Sequence, residues 1–409
     1  MASRYDEKFN SIVSILSYNS PNSDYKYSEC ITINDAQIFY NFDTIEDKEE
    51  IMYEFLSEIN NRNNYSYAFL QEQLNLFFLN NSSHQENNTY LFFDKWIKEI
   101  PLKKYFVYTG LYGVYTDEKV KLGKFHIVDK KEMTSYLSNY NRLFVGNELT
   151  EVQIETFAFN EISASCFIGI EIETYDDDRA CEIARAEFGN FEKLICFCCI
   201  RNAGRPPVKI FNLVNRATSF LLLQKDSWKN NSSANPLYVG AFNYRMKTLL
   251  DEMKENNTLT LFDLYTNEHN SDFKKRIINA VLWIGQANAE EDINVKLLEY
   301  CFAMESILQK NQSSILSPSI TYQISRACAI IIGDTYEERK KVIRNFEIIY
   351  SMRSAIAHGG NKLVPEYYTN LSWQYLVKLI LKLTRDAQWK GIDSIQSLWN
   401  KVEEIMLTV

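Results

Sequence analysis

No stretch of this sequence approaches the roughly 18 to 20 consecutive apolar residues that a membrane-spanning helix needs. The N-terminus, Met-Ala-Ser-Arg-Tyr-Asp-Glu-Lys, leads into an amphipathic segment and not into the apolar core of an export signal. A cytoplasmic protein without a membrane partner is therefore expected. Phosphate-binding loops, G-x-S-x-G, H-E-x-x-H and the dinucleotide fingerprint are all missing, which removes the common nucleotide-, ester- and zinc-dependent chemistries. Histidine is scarce, with 4 in 409 residues, so any position it occupies in a structured segment carries weight. Internal repeats are absent, and the asparagine-rich patches are short enough to be loops.

The 8 cysteines sit mostly inside apolar stretches, as reduced core cysteines do. Cys196-Phe-Cys198-Cys199 contains a C-x-x-C, but it has no histidine beside it and no second pair. Its surroundings, Leu194 to Ile200, read as a buried strand. Glu171 and Glu173 with Asp176 to Asp178 have the composition of a cation site, yet alternating acids on a strand followed by acids at a helix start are commonly structural. Neither a metal nor a cofactor is expected.

What is present is ample apolar material, 46% of residues, in a chain long enough for two or three domains. Of the 44 Lys+Arg and 53 Asp+Glu, residues 271–409 hold 17 and 15, leaving 27 against 38 for residues 1–270. An acidic first part and a slightly basic tail argue against broad electrostatic coating of nucleic acid and suit a small cleft for a few phosphates.

Local patterns predict an α+β chain, with a mixed α/β N-terminal region followed by an all-α helical bundle. The N-terminal region spans 1–235, with subdomains near 1–100 and 101–228, and the helical domain spans 236–409. The segment 229–236, rich in Asn and Ser and closed by Pro236, supplies the linker. A helical pattern occupies Glu49–Ile59. Tyr105–Tyr115, Lys121–Val128 and Ser165–Thr174 are strand-like, and their many aromatics suit cross-strand packing better than base stacking. Ala180, Ala184 and Phe188 at spacing four announce a helix, so that 165–200 reads as strand–helix–strand. Helices are expected near Ala241–Glu255, Phe273–Asn288, Asn294–Gln309, Ser317–Ile332, Tyr336–Ala357, Tyr368–Leu383 and Ser394–Met406.

One of these helices carries chemistry. Thr335 and Glu338 form a capping-box pattern, and Gly359-Gly360 suits a helix end. Val342, Phe346, Ile349 and Ile356 fall on one stripe, and Arg353 sits in it. A guanidinium facing a core needs a partner or an anion. Glu305, which interrupts the apolar Cys301–Leu308, is the partner expected, and both an internal ion pair and a functional site remain open.

His358 stands where the helix ends, about 140° around an ideal helix from Arg353. The two glycines would let the backbone unwind and swing the imidazole toward Arg353. Such a pair suits RNA transesterification: histidine moves the proton of a ribose 2′-OH or of the leaving 5′-oxygen, and arginine holds the phosphate. By itself, R-x4-H arises often by chance.

Leu298–Leu308, Gln323–Ala329 and Ile348–Gly360 together resemble the HEPN superfamily, and in particular its ApeA-like branch of bacterial phage-defence proteins. The pattern is Ala303-Met-Glu305-Ser-Ile307, then Tyr350, Arg353, His358, Gly359 and Gly360, within residues 270–390. The resemblance implies a homodimer whose facing Arg-His helices build a composite, metal-independent endoribonuclease site. It implies Arg353 and His358 as catalytic residues, with Glu305, Ser354, Tyr350 and Asn361 supporting them. Many catalytic members carry Asn, Asp or His directly after the arginine, where this chain has Ser354, which cannot titrate. The resemblance further implies abortive infection as the setting, single-stranded RNA such as a tRNA loop as substrate, and a phage-derived trigger. In that setting the acidic N-terminal region would restrain the toxin, and deletion of residues 1–235 would release it. The competing expectation is a non-catalytic HEPN-like dimerisation or partner-binding module in which Arg353 only pairs with Glu305 and His358 only ends the helix.

Overall fold

The computed structural model describes residues 8–9, 11–18, 21–24, 26–33, 36–43, 45–57, 59, 64–80, 89–136, 166–199, 219–223, 228–232, 244–310, 319–359 and 363–408. The chain is α+β; among the described residues, strands lie within the first 245 positions and helices follow. Contacts divide it into two units, one of Met1–Val107, Glu171–Arg185 and Phe220–Asn230, the other of Tyr108–Ile170, Ala186–Ser219 and Asn231–Val409.

In the first unit, strands β1 (Leu16–Tyr18), β2 (Tyr27–Ile33) and β3 (Ala36–Phe42) form an antiparallel sheet in the order β1-β3-β2. Helices α1 (Ile45–Ser57), α2 (Tyr67–Asn80) and α3 (Thr89–Lys98) follow. Its core is aromatic: Phe9 meets Phe55 at 5.3 Å and Phe78 at 5.5 Å, and Phe77 meets Phe93 edge-on at 5.4 Å. Rings bury large apolar area with few rotors to freeze, which suits a segment otherwise rich in asparagine. Asp176 accepts hydrogen bonds from the backbone of Ser66 at 3.0 Å and of Arg179 at 2.8 Å. The Glu171 carboxylate pairs with Lys104 at 2.5 Å. Asp176 and Glu171 therefore have structural partners, and among the described residues no group of three or more His, Cys, Asp or Glu is arranged to hold a metal.

Strand β4 (Lys103–Leu111) is followed in the second unit by β5 (Val114–Tyr115), β6 (Val120–Leu122) and β7 (Phe125–Asp129). β6 and β7 form a hairpin, and β7 pairs antiparallel with β8 (Cys166–Thr174), placing Ile127 opposite Ile168. Of the aromatics expected to pack within a sheet, Tyr105, Tyr108 and Phe125 are buried, and Phe106, Tyr112 and Tyr115 are half-buried.

The reading of Leu194–Ile200 as a strand is wrong. Helix α4 runs from Asp177 to Cys198, and the Cys199 amide still donates to the Ile195 carbonyl at 3.1 Å. The cause is burial on all sides: a helix end buried all round gives a continuous apolar run with no visible period, as a buried strand does. Cys196, Cys198 and Cys199 are buried within it, and burial pushes the Cys198 thiol up to about 12.

Strands β9 (Ser219–Leu223), β10 (Trp228–Ser232) and β11 (Tyr244–Arg245) precede the helices, and β11 pairs in parallel with β5. Then come α5 (Met246–Glu255), α6 (Thr260–Thr266), α7 (Asp272–Ala289), α8 (Ile293–Leu308), α9 (Ile320–Ile332), α10 (Tyr336–Ala357), α11 (Glu366–Arg385) and α12 (Ile395–Thr408). Six of the seven helices expected after residue 236 start and stop within three residues of their predicted ends, and the seventh, α5, begins five residues late; α6 is an addition.

The second half of α4 is bonded into this bundle. Asn288 Nδ2 donates to the Cys196 carbonyl at 3.1 Å, and Thr258 Oγ1 to the Cys198 carbonyl at 3.1 Å. Gly285 of α7 faces the Lys193 backbone so closely that a Cβ there would lie 2.0 Å from the carbonyl oxygen. Among the described residues, no helix is long and apolar enough to cross a membrane.

Candidate functional site

Helix α10 begins as its sequence demands. The Thr335 hydroxyl accepts from the Glu338 amide at 3.2 Å, and the Glu338 carboxylate accepts in turn from the Thr335 amide at 3.3 Å. Val342, Phe346 and Ile349 bury one face, and Tyr350 and Met352 widen it. This packing fixes the rotation of the helix and with it the direction in which Arg353 points.

Arg353 points at Glu305. Its Nε lies 3.3 Å from Glu305 Oε1, with the two side chains 28% and 15% exposed. The approach is that of an ion pair and not of an aligned hydrogen bond, because both atoms are shielded from solvent and neither has a hydrogen-bond partner. The guanidinium also lies 5.8 Å from the Phe302 ring, which packs at 5.4 Å on Trp283. Burial raises the Glu305 carboxyl above the usual glutamate range, and the Arg353 charge only partly opposes this.

The turn that carries Glu305 is fastened from outside. Arg276 Nη1 donates to the carbonyls of Ser306 at 3.1 Å and Gln309 at 3.2 Å, capping the open end of α8. At its start, the Asp292 carboxylate accepts from the amides of Asn294 and Val295 at 2.7 and 3.1 Å.

Tyr350 is buried within electrostatic reach of the ion pair. Its hydroxyl is buried without a hydrogen-bond partner, and burial pushes it well above the ordinary phenol value, with Cys301 and Glu305 adding to the shift and Arg353 opposing it. Cys301 is likewise raised by burial, reinforced by Glu305. Three polar atoms without hydrogen bonds, Tyr350 Oη, Arg353 Nε and Glu305 Oε1, thus belong to one neighbourhood.

His358 is placed differently from the expectation. Its amide still donates to the Ser354 carbonyl at 3.1 Å, its own φ −96° and ψ 16° already depart from the helix, and the left-handed turn comes one residue later, at Gly359 with φ +74°. The imidazole therefore leaves the helix at its regular angular position, about 140° around the axis from Arg353. It is exposed, as is Ser354, and among the described residues it has no side-chain hydrogen bond or ion pair. A single chain therefore brings Arg353, Glu305 and Tyr350 together and directs His358 to solvent. Gly360 and Asn361 lie outside the described residues.

The sequence did not single out Phe302, Trp283 and Arg276. Phe302 stands one turn before Glu305, where it shares a helix face with it, so spacing alone could have pointed to it. Arg276 and Trp283 are on another helix, and nothing local marks them. Compared with models of protein families, with curated proteins and with solved structures, the chain matches none.

Proposed function

We propose that this chain is a metal-independent endoribonuclease of the HEPN type, acting on single-stranded RNA in bacterial defence against phage. The observation that carries the proposal is the division of labour on one helix. α10 holds Arg353 at the edge of the core against Glu305 and Phe302, and it presents His358 in the open at its last turn, free of competing partners.

In the reaction, the ribose 2′-oxygen attacks the adjacent phosphorus, the new P–O2′ bond forms and the P–O5′ bond breaks. One proton leaves the 2′-OH and one reaches the 5′-oxygen. An imidazole performs these transfers, and a guanidinium offsets the charge on the phosphoryl oxygens. Since Arg353 and His358 diverge around α10, the proposal includes a homodimer in which the histidine of one subunit works beside the arginine of the other. Glu305 positions the arginine, Tyr350 is buried within electrostatic reach of it, and Ser354 offers a hydroxyl but no titrating group. The proposal extends to a tRNA loop as target, a cytoplasmic setting, restraint by the N-terminal region and release by a phage-derived trigger.

A second proposal is a non-catalytic dimerisation or partner-binding module. The 3.3 Å Arg353–Glu305 pair favours it, because a guanidinium already matched by a carboxylate is less available to a phosphate.

Cleavage of total cellular RNA in EDTA by the wild type, Arg353→Ala and His358→Ala decides between them. Cyclic phosphate ends produced by the wild type alone support the ribonuclease. Equal inactivity of all three, with a dimer retained, fits the module and a still-restrained enzyme alike, and removal of the restraining N-terminal region then separates them, because cleavage appears only in the enzyme.

A further inference from the structure

The solvent face of α10 holds more than His358. Counting 100° per residue, Tyr336, Lys340, Arg344, Ser351 and His358 fall within about 40° of one line along the helix. All five are exposed, Tyr336 at 70%. Lys341, about 100° around the helix from this line, is exposed too. Among the described residues, Lys340, Lys341 and Arg344 have no ion pair, in contrast to Lys382 on α11, which pairs with Asp334 at 3.1 Å. Lys340 instead lies over the Tyr336 ring, 6.0 Å from its centre. Glu347 lies on the line and Glu337 beside it, both exposed and neither in contact with these cations.

Unpaired cations in a row, closed by an exposed aromatic ring, are what single-stranded nucleic acid selects: phosphates follow the charges and a base stacks on the ring. The rise of 1.5 Å per residue puts Tyr336 about 33 Å from His358 and Arg344 about 21 Å from it. That distance exceeds the reach of a dinucleotide.

We propose that this line is the track for an extended single-stranded RNA, whose backbone runs along α10 from His358 past Arg344 and Lys340 and whose base stacks on Tyr336. The inference rests on the ribonuclease reading for the role of His358 but concerns residues outside its chemistry. It assigns the substrate class: a strand several nucleotides longer than the cleaved linkage, with little preference for sequence.

The test uses the full-length chain as the His358→Ala variant, so that RNA is bound and not cut, and a labelled 12-nucleotide single strand of mixed sequence. Adding Lys340→Ala and Arg344→Ala together is expected to weaken binding and to reduce the slope of log affinity against log salt by about 1.4, at roughly 0.7 per lost phosphate contact. Adding Tyr336→Ala instead is expected to weaken binding roughly 5- to 150-fold. Glu347→Gln, which removes the acid from the line, is expected to tighten it. In parallel, the wild type is assayed for cleavage of the same strand.

Unchanged affinity and slope in the double variant overturn the track, and cleavage by the wild type then leaves the ribonuclease standing without it. No binding by the His358→Ala protein also overturns the track. Binding that depends on the three residues, with no cleavage by the wild type, upholds the track as an RNA-binding face independently of the ribonuclease reading. All three side chains are exposed, and an unchanged circular dichroism spectrum verifies that the variants fold.

Discussion

Arg353 and Glu305 meet at 3.3 Å without a hydrogen bond between the facing atoms, so the pair is held by charge and packing more than by directional bonding. Two partly buried ions in that condition recover less of their lost hydration than an aligned pair does.

The raised Glu305 carboxyl fixes the sign of a pH experiment. A glutamate whose folded value lies above its unfolded value adds stability below the unfolded value and loses it as pH rises through the folded one. Glu305→Gln, always neutral, should therefore gain stability relative to the wild type as pH climbs from about 3 to 7. Thermal melts of both proteins across that range provide the comparison. A wild type that gains on the variant instead would mean that the Arg353 charge outweighs burial.

Tyr350→Phe removes a buried hydroxyl that has no partner. An unsatisfied buried polar group costs about 1–3 kcal/mol, so the phenylalanine protein should be as stable as the wild type or more so. Chemical denaturation measures this directly. A loss above about 1 kcal/mol would mean that the hydroxyl is hydrogen-bonded in solution, in the range of a typical net bond.

Gly285→Ala places a methyl 2.0 Å from the Lys193 carbonyl oxygen. Backbone cannot yield as a side-chain tip does, so α4 and α7 must move apart at a cost of about 1–3 kcal/mol or more. The melting temperature of the variant should fall clearly, whereas Gly189→Ala, where a Cβ meets nothing within 4 Å, should not lower it.

Thiol chemistry offers a count. Cys30 is exposed and the other seven cysteines are buried, among them Cys198 with its thiol pushed up to about 12 and Cys301 and Cys328 pushed higher still. A neutral buried thiol is a poor nucleophile. The folded protein should titrate about one thiol with a small disulfide reagent and eight in denaturant. More than one fast-reacting thiol in the folded state would contradict the burial of the helical core.

Seven of the helices after residue 236 were legible because their apolar residues recur at helical spacing, α10 also because Thr335 and Glu338 mark its start and Gly359 its end, whereas the seven-residue α6 is too short to show a period. Arg353 beside Glu305 was legible for the same reason, since each breaks an apolar face. Leu194 to Cys198 was not, because burial on every side erases the period that separates helix from strand. The direction of His358 was not legible either. It depends on whether the turn begins at residue 358 or at 359, and two consecutive glycines leave both open.

The close approach at Gly285 has a consequence for how this chain can be cut. The surface that α7 offers to Lys193 is a groove floored by a bare Cα, with Asn288 and Thr258 aimed at carbonyls that only α4 provides. A fragment beginning at residue 236 would carry that groove empty and the Asn288 amide without its acceptor, leaving Thr258 only the longer bond to Met253. The last three turns of α4 behave as a missing stave of the barrel that the later helices form, so any minimal version of the helical part has to import residues 186–199 from far upstream. Dissection by sequence order would separate what folding has joined.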